Sequence, residues 1–212
     1  MGVWLPVYEQ HMSAWMEHRD HIVNGRGTYQ YHKYEQALAL CKERTYAIDV
    51  GAHCGLWSMH MVNDFDHLIA FEPVPLHCEA FKRNVERNTY TLHAHALGGS
   101  AGELLLSFDE TNTGDTHVTS GHGLVVRVEQ FDELYPDLEN VGFVKLDCEG
   151  YEYFALKGME RMLQRCKPVV LVEQKPNRAT RYGLEQTQAV DYLRSLGAML
   201  VAEISGDYLL QW

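Results

Sequence analysis

Hydrophobic positions recur in two periods along this chain. Tyr8, Met12, Trp15 and Met16 fall at helical spacing with charges between them, which predicts a helix over 7–21. Asn24-Gly25-Arg26-Gly27 reads as a loop, and 33–43 as a second helix. From residue 46 onward, short apolar runs alternate with helical patterns. The runs 46–50, 68–71, 91–97, 141–146 and 169–172 predict buried strands, and 54–63, 76–88, 151–165 and 185–196 predict helices. Pro75 suits the first turn of its helix. Two further runs, 104–106 and 124–128, bracket a polar, Gly-bearing loop and predict a hairpin-like insertion. Residues 199–204 and 208–210 lie close enough to close the chain as an antiparallel pair.

Strand–helix alternation of this kind predicts an α/β fold: a doubly wound, seven-stranded, mostly parallel sheet with helices on both faces. One domain is expected over 1–212, with an N-terminal helical cap at 1–44 and the core at 45–212. Ligands of such sheets sit at the carboxyl ends of the strands, near the point where strand order reverses.

Composition narrows the classes. The 212 residues are 46% hydrophobic and 22% charged, values of a globular chain. The formal charge of −11, with no Lys/Arg run beyond Lys82-Arg83, argues against nucleic-acid and anionic-membrane partners. Twelve His would offset that charge on protonation, so solubility is expected to fall toward pH 6. Five Cys, at 41, 54, 78, 148 and 166, show no Cys-x-x-Cys pair; a reducing, cytoplasmic compartment fits them best. The start reads neither as a signal peptide nor as a myristoylation site, and no apolar run is long enough for a membrane span.

The chemistry gathers just after the strands. Asp49-Val50-Gly51-Ala52-His53-Cys54-Gly55 ends the first core strand and opens a helix, and Glu72 follows the second, 23 residues after Asp49. Gly51 permits a sharp turn, and a carboxylate at Glu72 is placed to accept ribose hydroxyls. A dinucleotide would want Gly-x-Gly-x-x-Gly and no acid beside its pyrophosphate. Here the spacing is Gly-x-x-x-Gly with Asp49 adjacent, which favours the cationic, phosphate-free S-adenosylmethionine.

These segments, with Leu56-Trp57, Phe71-Glu72-Pro73, Ala96-Leu97-Gly98, the run from Val144 to Glu152 and Leu171-Val172-Glu173, resemble the FkbM-type methyltransferases over roughly residues 45–175. The resemblance implies a Rossmann-like, class I, S-adenosylmethionine-dependent enzyme that O-methylates hydroxyls of sugars or natural products. It implies that Gly51 and the turn through Ala52, His53, Cys54 and Gly55 wrap the methionine end. Glu72 would hold the ribose, Pro73 would flank the adenine and Ala96 and Leu97 would border it. Asp147 would lie near the amino group or the reacting centre. The family often carries Asn where His53 stands.

Removing the acceptor's proton calls for a placed base. Asp147, Glu149 and Glu173, at strand ends four and five, are the catalytic candidates. They converge only if the strand persists past Asp147 or Glu173 reaches across to it. A metal-free base is favoured over Mg²⁺. Glu152 reads as a helix-start acid, Lys145 as a strand residue paired with an acid, and Cys54 and Cys148 as packing residues. His93 and His95 read as packing, His117 as a solvated loop residue, and Tyr29 to Tyr31 as a roof over the cofactor. The expected partner is a small-molecule or glycan acceptor. Two rival readings are a nicotinamide-dependent oxidoreductase and a non-catalytic S-adenosylmethionine-binding module.

Overall fold

The computed structural model describes residues 2–7, 9–16, 22–23, 25–108 and 112–212, with only the backbone of Trp15. Tyr8, residues 17–21, Asn24, Thr111 and the Trp15 side chain lie outside the described residues. Within the segment expected to be a helical cap, α1 (His11–Met16) and α2 (Tyr31–Leu40) flank an antiparallel hairpin of β1 (Ile22–Val23) and β2 (Arg26–Gly27). Arg26 and Gly27, read as loop residues between the two helices of the cap, are thus the second strand of a short hairpin.

The core runs β3 (Tyr46–Val50), α3 (Ser58–Asp64), β4 (His67–Phe71), α4 (Pro75–Asn84) and β5 (Tyr90–His93). An excursion follows, of β6 (Ala96–Leu97), β7 (Gly102–Ser107), β8 (His117–Val118) and β9 (Leu124–Glu129). The chain then returns through α5 (Phe131–Leu134), β10 (Val141–Leu146), α6 (Glu152–Lys157) and α7 (Glu160–Cys166). It ends with β11 (Val169–Glu173), α8 (Gln188–Ser195), β12 (Met199–Ile204) and β13 (Asp207–Gln211). The seven-stranded sheet has the order β12-β13-β11-β10-β3-β4-β5. β13 is antiparallel to both neighbours, and the other pairings are parallel. Strand order therefore reverses between β3 and β10, where a crevice opens.

Period-two alternation sorts the core into two layers. Ile48, Val50, Val144, Leu146, Val170 and Val172 pack with Leu156, Met162 and Leu193 of α6, α7 and α8. Ala47, Leu68, Ala70, Phe143 and Leu171 pack with Tyr34, Met61 and Phe81 of α2, α3 and α4. Asp49 and Lys145 share this second face, a register-matched pair on adjacent strands.

Two predicted elements divide. The strand expected at 91–97 leaves the main sheet after His93, and Ala96–Leu97 pairs parallel with β9 instead. The insertion is accordingly a four-stranded sheet, β6-β9-β7-β8, rather than a lone hairpin. The helix expected at 151–165 breaks at Gly158. Asp132 of α5 caps a fresh start there, accepting from the backbone N of Arg161 (2.8 Å) and Met162 (3.0 Å). All five cysteines are free, and among the described residues no helix is long and apolar enough to cross a membrane.

Candidate active site

The crevice between β3 and β10 holds a cavity of about 280 Å³. Its floor is the turn after β3. Gly51 adopts φ +74°, and a Cβ there would strike the Asp147 carbonyl oxygen, so only glycine lets β3 end against β10. The turn's amides are committed to the next strand. Gly51 and Ala52 both donate to the Phe71 carbonyl at 3.0 Å, and the backbone N of His53 donates to Glu72 Oε2 at 2.8 Å.

Glu72 is buried and held from three sides. Oε2 takes the His53 amide, while Oε1 accepts from the Val74 amide (2.9 Å) and from His77 Nδ1 (3.1 Å). Burial opposes its ionisation, but the His77 hydrogen bond and the neighbouring imidazoles outweigh this and hold its carboxyl below the usual range. His53 goes the other way: burial, then the proximity of His77, bring it down to about 3, so its ring is neutral. His53 Nε2 meets Thr113 Oγ1 at 2.8 Å, and Thr113 in turn gives both its hydroxyl and its amide (2.7 Å) to Glu9 Oε2.

Across the cavity stand the acids. The register Leu146↔Val172 sets the next residues, Asp147 and Glu173, side by side at the ends of β10 and β11. β10 stops at Leu146, so of the two alternatives the strand does not persist to Glu149. Glu149 returns by another route, through its own left-handed φ of +54° followed by Gly150 at +101°. Ligand atoms of Asp147, Glu149 and Glu173 all lie within 4.8 Å of one another. Burial, then the Asp147 charge, push Glu149 up to about 8 and Glu173 up to about 9. Burial also opposes the charge on Asp147, but Lys145 and Lys175 prevail and hold its carboxyl below the usual value. Near neutral pH the cluster therefore carries its negative charge on Asp147, with protons on the two glutamates.

Cations complete this wall. Lys145 Nζ lies 3.2 Å from Asp49 Oδ1 and 3.8 Å from Asp147 Oδ2, and donates to the Gly51 carbonyl at 3.0 Å. Lys175 pairs with Glu173; Arg178 pairs with Asp115 and places Nε 2.9 Å from Glu149 Oε2. Of Tyr29, Gln30 and Tyr31, Tyr29 lines the cavity and the other two do not; burial and the Asp147 charge push the Tyr29 hydroxyl up to about 12.

Gly51, Ala52, His53, Glu72, Pro73, Ala96, Leu97, Asp147, Glu149 and Glu173 all line the cavity. Asp49, Cys54 and Gly55, expected at the cofactor, do not. The Asp49 carboxylate is fully buried behind the turn, taken by Ser58 Oγ (2.6 Å) and Lys145. Cys54 is fully buried, and Gly55 packs against Phe81 and Val85. Of Asp49 and Asp147, which meet at the turn, the one that faces the crevice is thus Asp147. Burial raises the thiols of Cys54 and Cys148 well above their ordinary value, which agrees with packing roles. Glu152 is structural: its Oε1 accepts from the Cys148 (2.8 Å) and Gly150 (3.0 Å) amides and holds the turn. His93 donates to or accepts from the Tyr135 hydroxyl (2.6 Å), away from the cavity, whereas His117 lines it.

Sequence reasoning missed Glu9, His77, Lys175 and Arg178, all tied into this site, whereas Thr113 and Asp115, which line the cavity, belong to the polar loop singled out between the two insertion strands. Lys175 and Arg178 had a usable signal, since they follow a strand end. Glu9 had none: its partner Thr113 is 104 residues away.

Residues 49–199 match the family described as the methyltransferase FkbM domain. "Methyltransferase 1" of Beauveria bassiana is 26% identical over 55% of this chain and 59% of its own length. "Methyltransferase sdnD" of Sordaria araneosa is 26% identical over 58% of this chain and 63% of its own. The chain thus spans about three fifths of the curated relatives it matches. Among solved structures, methyltransferase FkbM from Methylobacillus flagellatus KT aligns with TM-score 0.53 and 20% identity, over 79% of this chain and 43% of that one. A Streptococcus mutans protein solved in complex with SAH aligns with TM-score 0.54 and 9% identity, over 88% and 98%. The crevice at the strand-order reversal, the acid after β4 and the match across most of the core agree: this chain belongs to the FkbM-domain methyltransferase family.

Proposed function

We propose that this chain is an S-adenosylmethionine-dependent O-methyltransferase acting on a hydroxyl of a sugar or other natural product. The observation that carries the reading is the gathering of Asp147, Glu149 and Glu173 beside the Gly51 turn and across the cavity from Glu72. The residues suit this cofactor better than a dinucleotide. A pyrophosphate needs free amides at the turn, and those of Gly51, Ala52 and His53 are already spent on Phe71 and Glu72. Asp147 at the same turn would repel phosphate and attract an ammonium or sulfonium. Asp147 thus fills the role expected of Asp49, and its charge weighs against a nicotinamide dinucleotide.

The cofactor supplies a methyl carbon already activated by a sulfonium. Glu72 holds the ribose, Pro73, Ala96 and Leu97 border the adenine, and Gly51 and Ala52 border the methionine end. Asp147 is the charged acceptor at the reacting side. It would take the proton of the acceptor hydroxyl, leaving the oxygen free to receive the methyl group that the cofactor would supply from its sulfonium. Glu173, protonated, hydrogen-bonds to Asp147 and keeps its carboxylate oriented, with Lys175 balancing the charge. Positioning supplies much of the rate, since well-oriented reactants gain up to about 7–11 kcal/mol. Lys145, Lys175 and Arg178 already compensate the acids, which favours a metal-free base over Mg²⁺. The polar wall suits a polyol acceptor, with no nucleic-acid or membrane partner, and five free thiols suit a reducing cytoplasm.

Calorimetry with S-adenosylhomocysteine, followed by methyl transfer to a panel of glycosides and phenols, tests the reading. Absence of binding refutes it. Binding without turnover on any acceptor leaves the non-catalytic module.

A further inference from the structure

Glu72 cannot serve a ribose diol alone. A carboxylate offers about four lone-pair directions, two on each oxygen. Oε1 has both filled, by the Val74 amide and His77 Nδ1, and Oε2 has one filled, by the His53 amide. One direction remains, on the oxygen beside His53. A ribose presents two hydroxyls, so one of them must find another acceptor.

His53 Nδ1 is such an acceptor: it is buried and has no hydrogen-bond partner. Its protonation state follows from the chain of partners behind it. Glu9, a carboxylate, only accepts, so the Thr113 hydroxyl points its proton at Glu9 Oε2. Thr113 Oγ1 must then accept from His53, which places the ring proton on Nε2 and a lone pair on Nδ1. His77 Nε2 is the rival, also buried and unpartnered. His77, however, leans its ring on the filled oxygen of Glu72, whereas the backbone amide of His53 meets the oxygen with room to spare, and the His53 ring lines the cavity.

We propose that His53 Nδ1 accepts one of the two ribose hydroxyls of the bound cofactor while Glu72 Oε2 accepts the other, with Glu9 and Thr113 as positioning residues that fix the tautomer. The proposal rests on the S-adenosylmethionine reading above. It makes His53 a determinant of cofactor specificity, and it ties that specificity to Glu9 in the N-terminal segment, outside the span that matches the family.

The test is calorimetric binding of S-adenosylhomocysteine and its 2′-deoxy and 3′-deoxy analogues. In the wild-type chain each analogue is expected to bind roughly five- to tenfold more weakly than the parent, as for one lost hydrogen bond. In His53→Phe, one of the two penalties should fall below about twofold while the other persists. His53→Asn should restore it, because Asn Oδ1 sits on Cγ where His Nδ1 does. His53→Gln, which moves the acceptor one bond outward, should not. If His53→Phe fails to fold, the Asn–Gln pair decides: equal discrimination by the two overturns the assignment. Both penalties surviving in His53→Phe, or one vanishing only in His77→Phe, overturns it too. A wild-type chain that ignores S-adenosylhomocysteine altogether removes the parent reading and this inference together, an outcome distinct from binding without coupling to His53.

Discussion

Replacing Glu173 by Gln probes the charge state of the acidic wall without disturbing its shape. Burial and the Asp147 charge push the Glu173 carboxyl up to about 9, against an ordinary value of 4.5. Between those limits the folded chain keeps a proton that the unfolded chain has released. Stability therefore falls as pH rises through this window, by at most about 1.4 kcal/mol per pH unit for one proton. Gln copies the protonated acid: its amide can donate to Asp147, its oxygen can accept from Lys175, and it has no proton to lose. From pH 6 to pH 8 the variant should gain about 2 kcal/mol relative to wild type, the full limit being reduced by the shared charge of the cluster. Glu149 and Glu152, pushed up to about 8 and about 7 chiefly by burial, retain part of the slope in the variant. Urea unfolding at pH 5.5, 6.5, 7.5 and 8.5 reads the difference directly. Parallel curves for the two chains, at any offset, would refute the assignment of a proton to Glu173.

Four further outcomes are expected. Glu72→Ala should weaken S-adenosylhomocysteine binding by roughly 1.5–3 kcal/mol, as loss of a charged hydrogen-bond acceptor does; calorimetry that finds unchanged affinity removes Glu72 from the ribose. Asp147→Asn should lower kcat at least tenfold while leaving cofactor affinity within about threefold, a split that parallel kinetics and titration would expose. Lys33→Met should destabilise the chain by about 3–5 kcal/mol, because Asp207, paired with Lys33 at 2.7 Å and buried, would keep an uncompensated charge; thermal melts check this. Turnover in the presence of a strong chelator should match turnover without it, and loss of activity with the fold intact by circular dichroism would instead assign a cation to the three carboxylates.

The inner strands of the sheet were legible because they are short and buried on both faces, whereas the exposed edge strand β12 was legible only as a short apolar run. The runs 46–50, 141–146 and 199–204 coincide with strands in the structure. The division of the helix expected at 151–165 was not legible, since its cause is Asp132, a cap 29 residues away. The strand-end rule found Glu72, Asp147 and Glu173, because strand ends are where a doubly wound sheet opens. It misjudged Asp49 for a related reason. The side chain of the last-but-one strand residue points into the α2–α3 layer, and Ser58 and Lys145 occupy its carboxylate there. Local pattern had no means of finding Glu9, whose value lies wholly in a contact across the fold.

That contact has a consequence for how the molecule assembles. Glu9 with Thr113, and Trp4 with Asn84, join stretches 104 and 80 residues apart, whereas the β3–β4 and β10–β11 pairings close far shorter loops. Long closures cost more chain entropy and form after the short ones. The pairings on either side of the β3–β10 seam are thus built first; that seam, which joins Asp49 to Lys145 across 96 residues, and the leading segment close later, the segment lying like a clasp on a finished case. In native-state hydrogen exchange, that clasp is the part that should open at the lowest free energy, well before the strands beneath it.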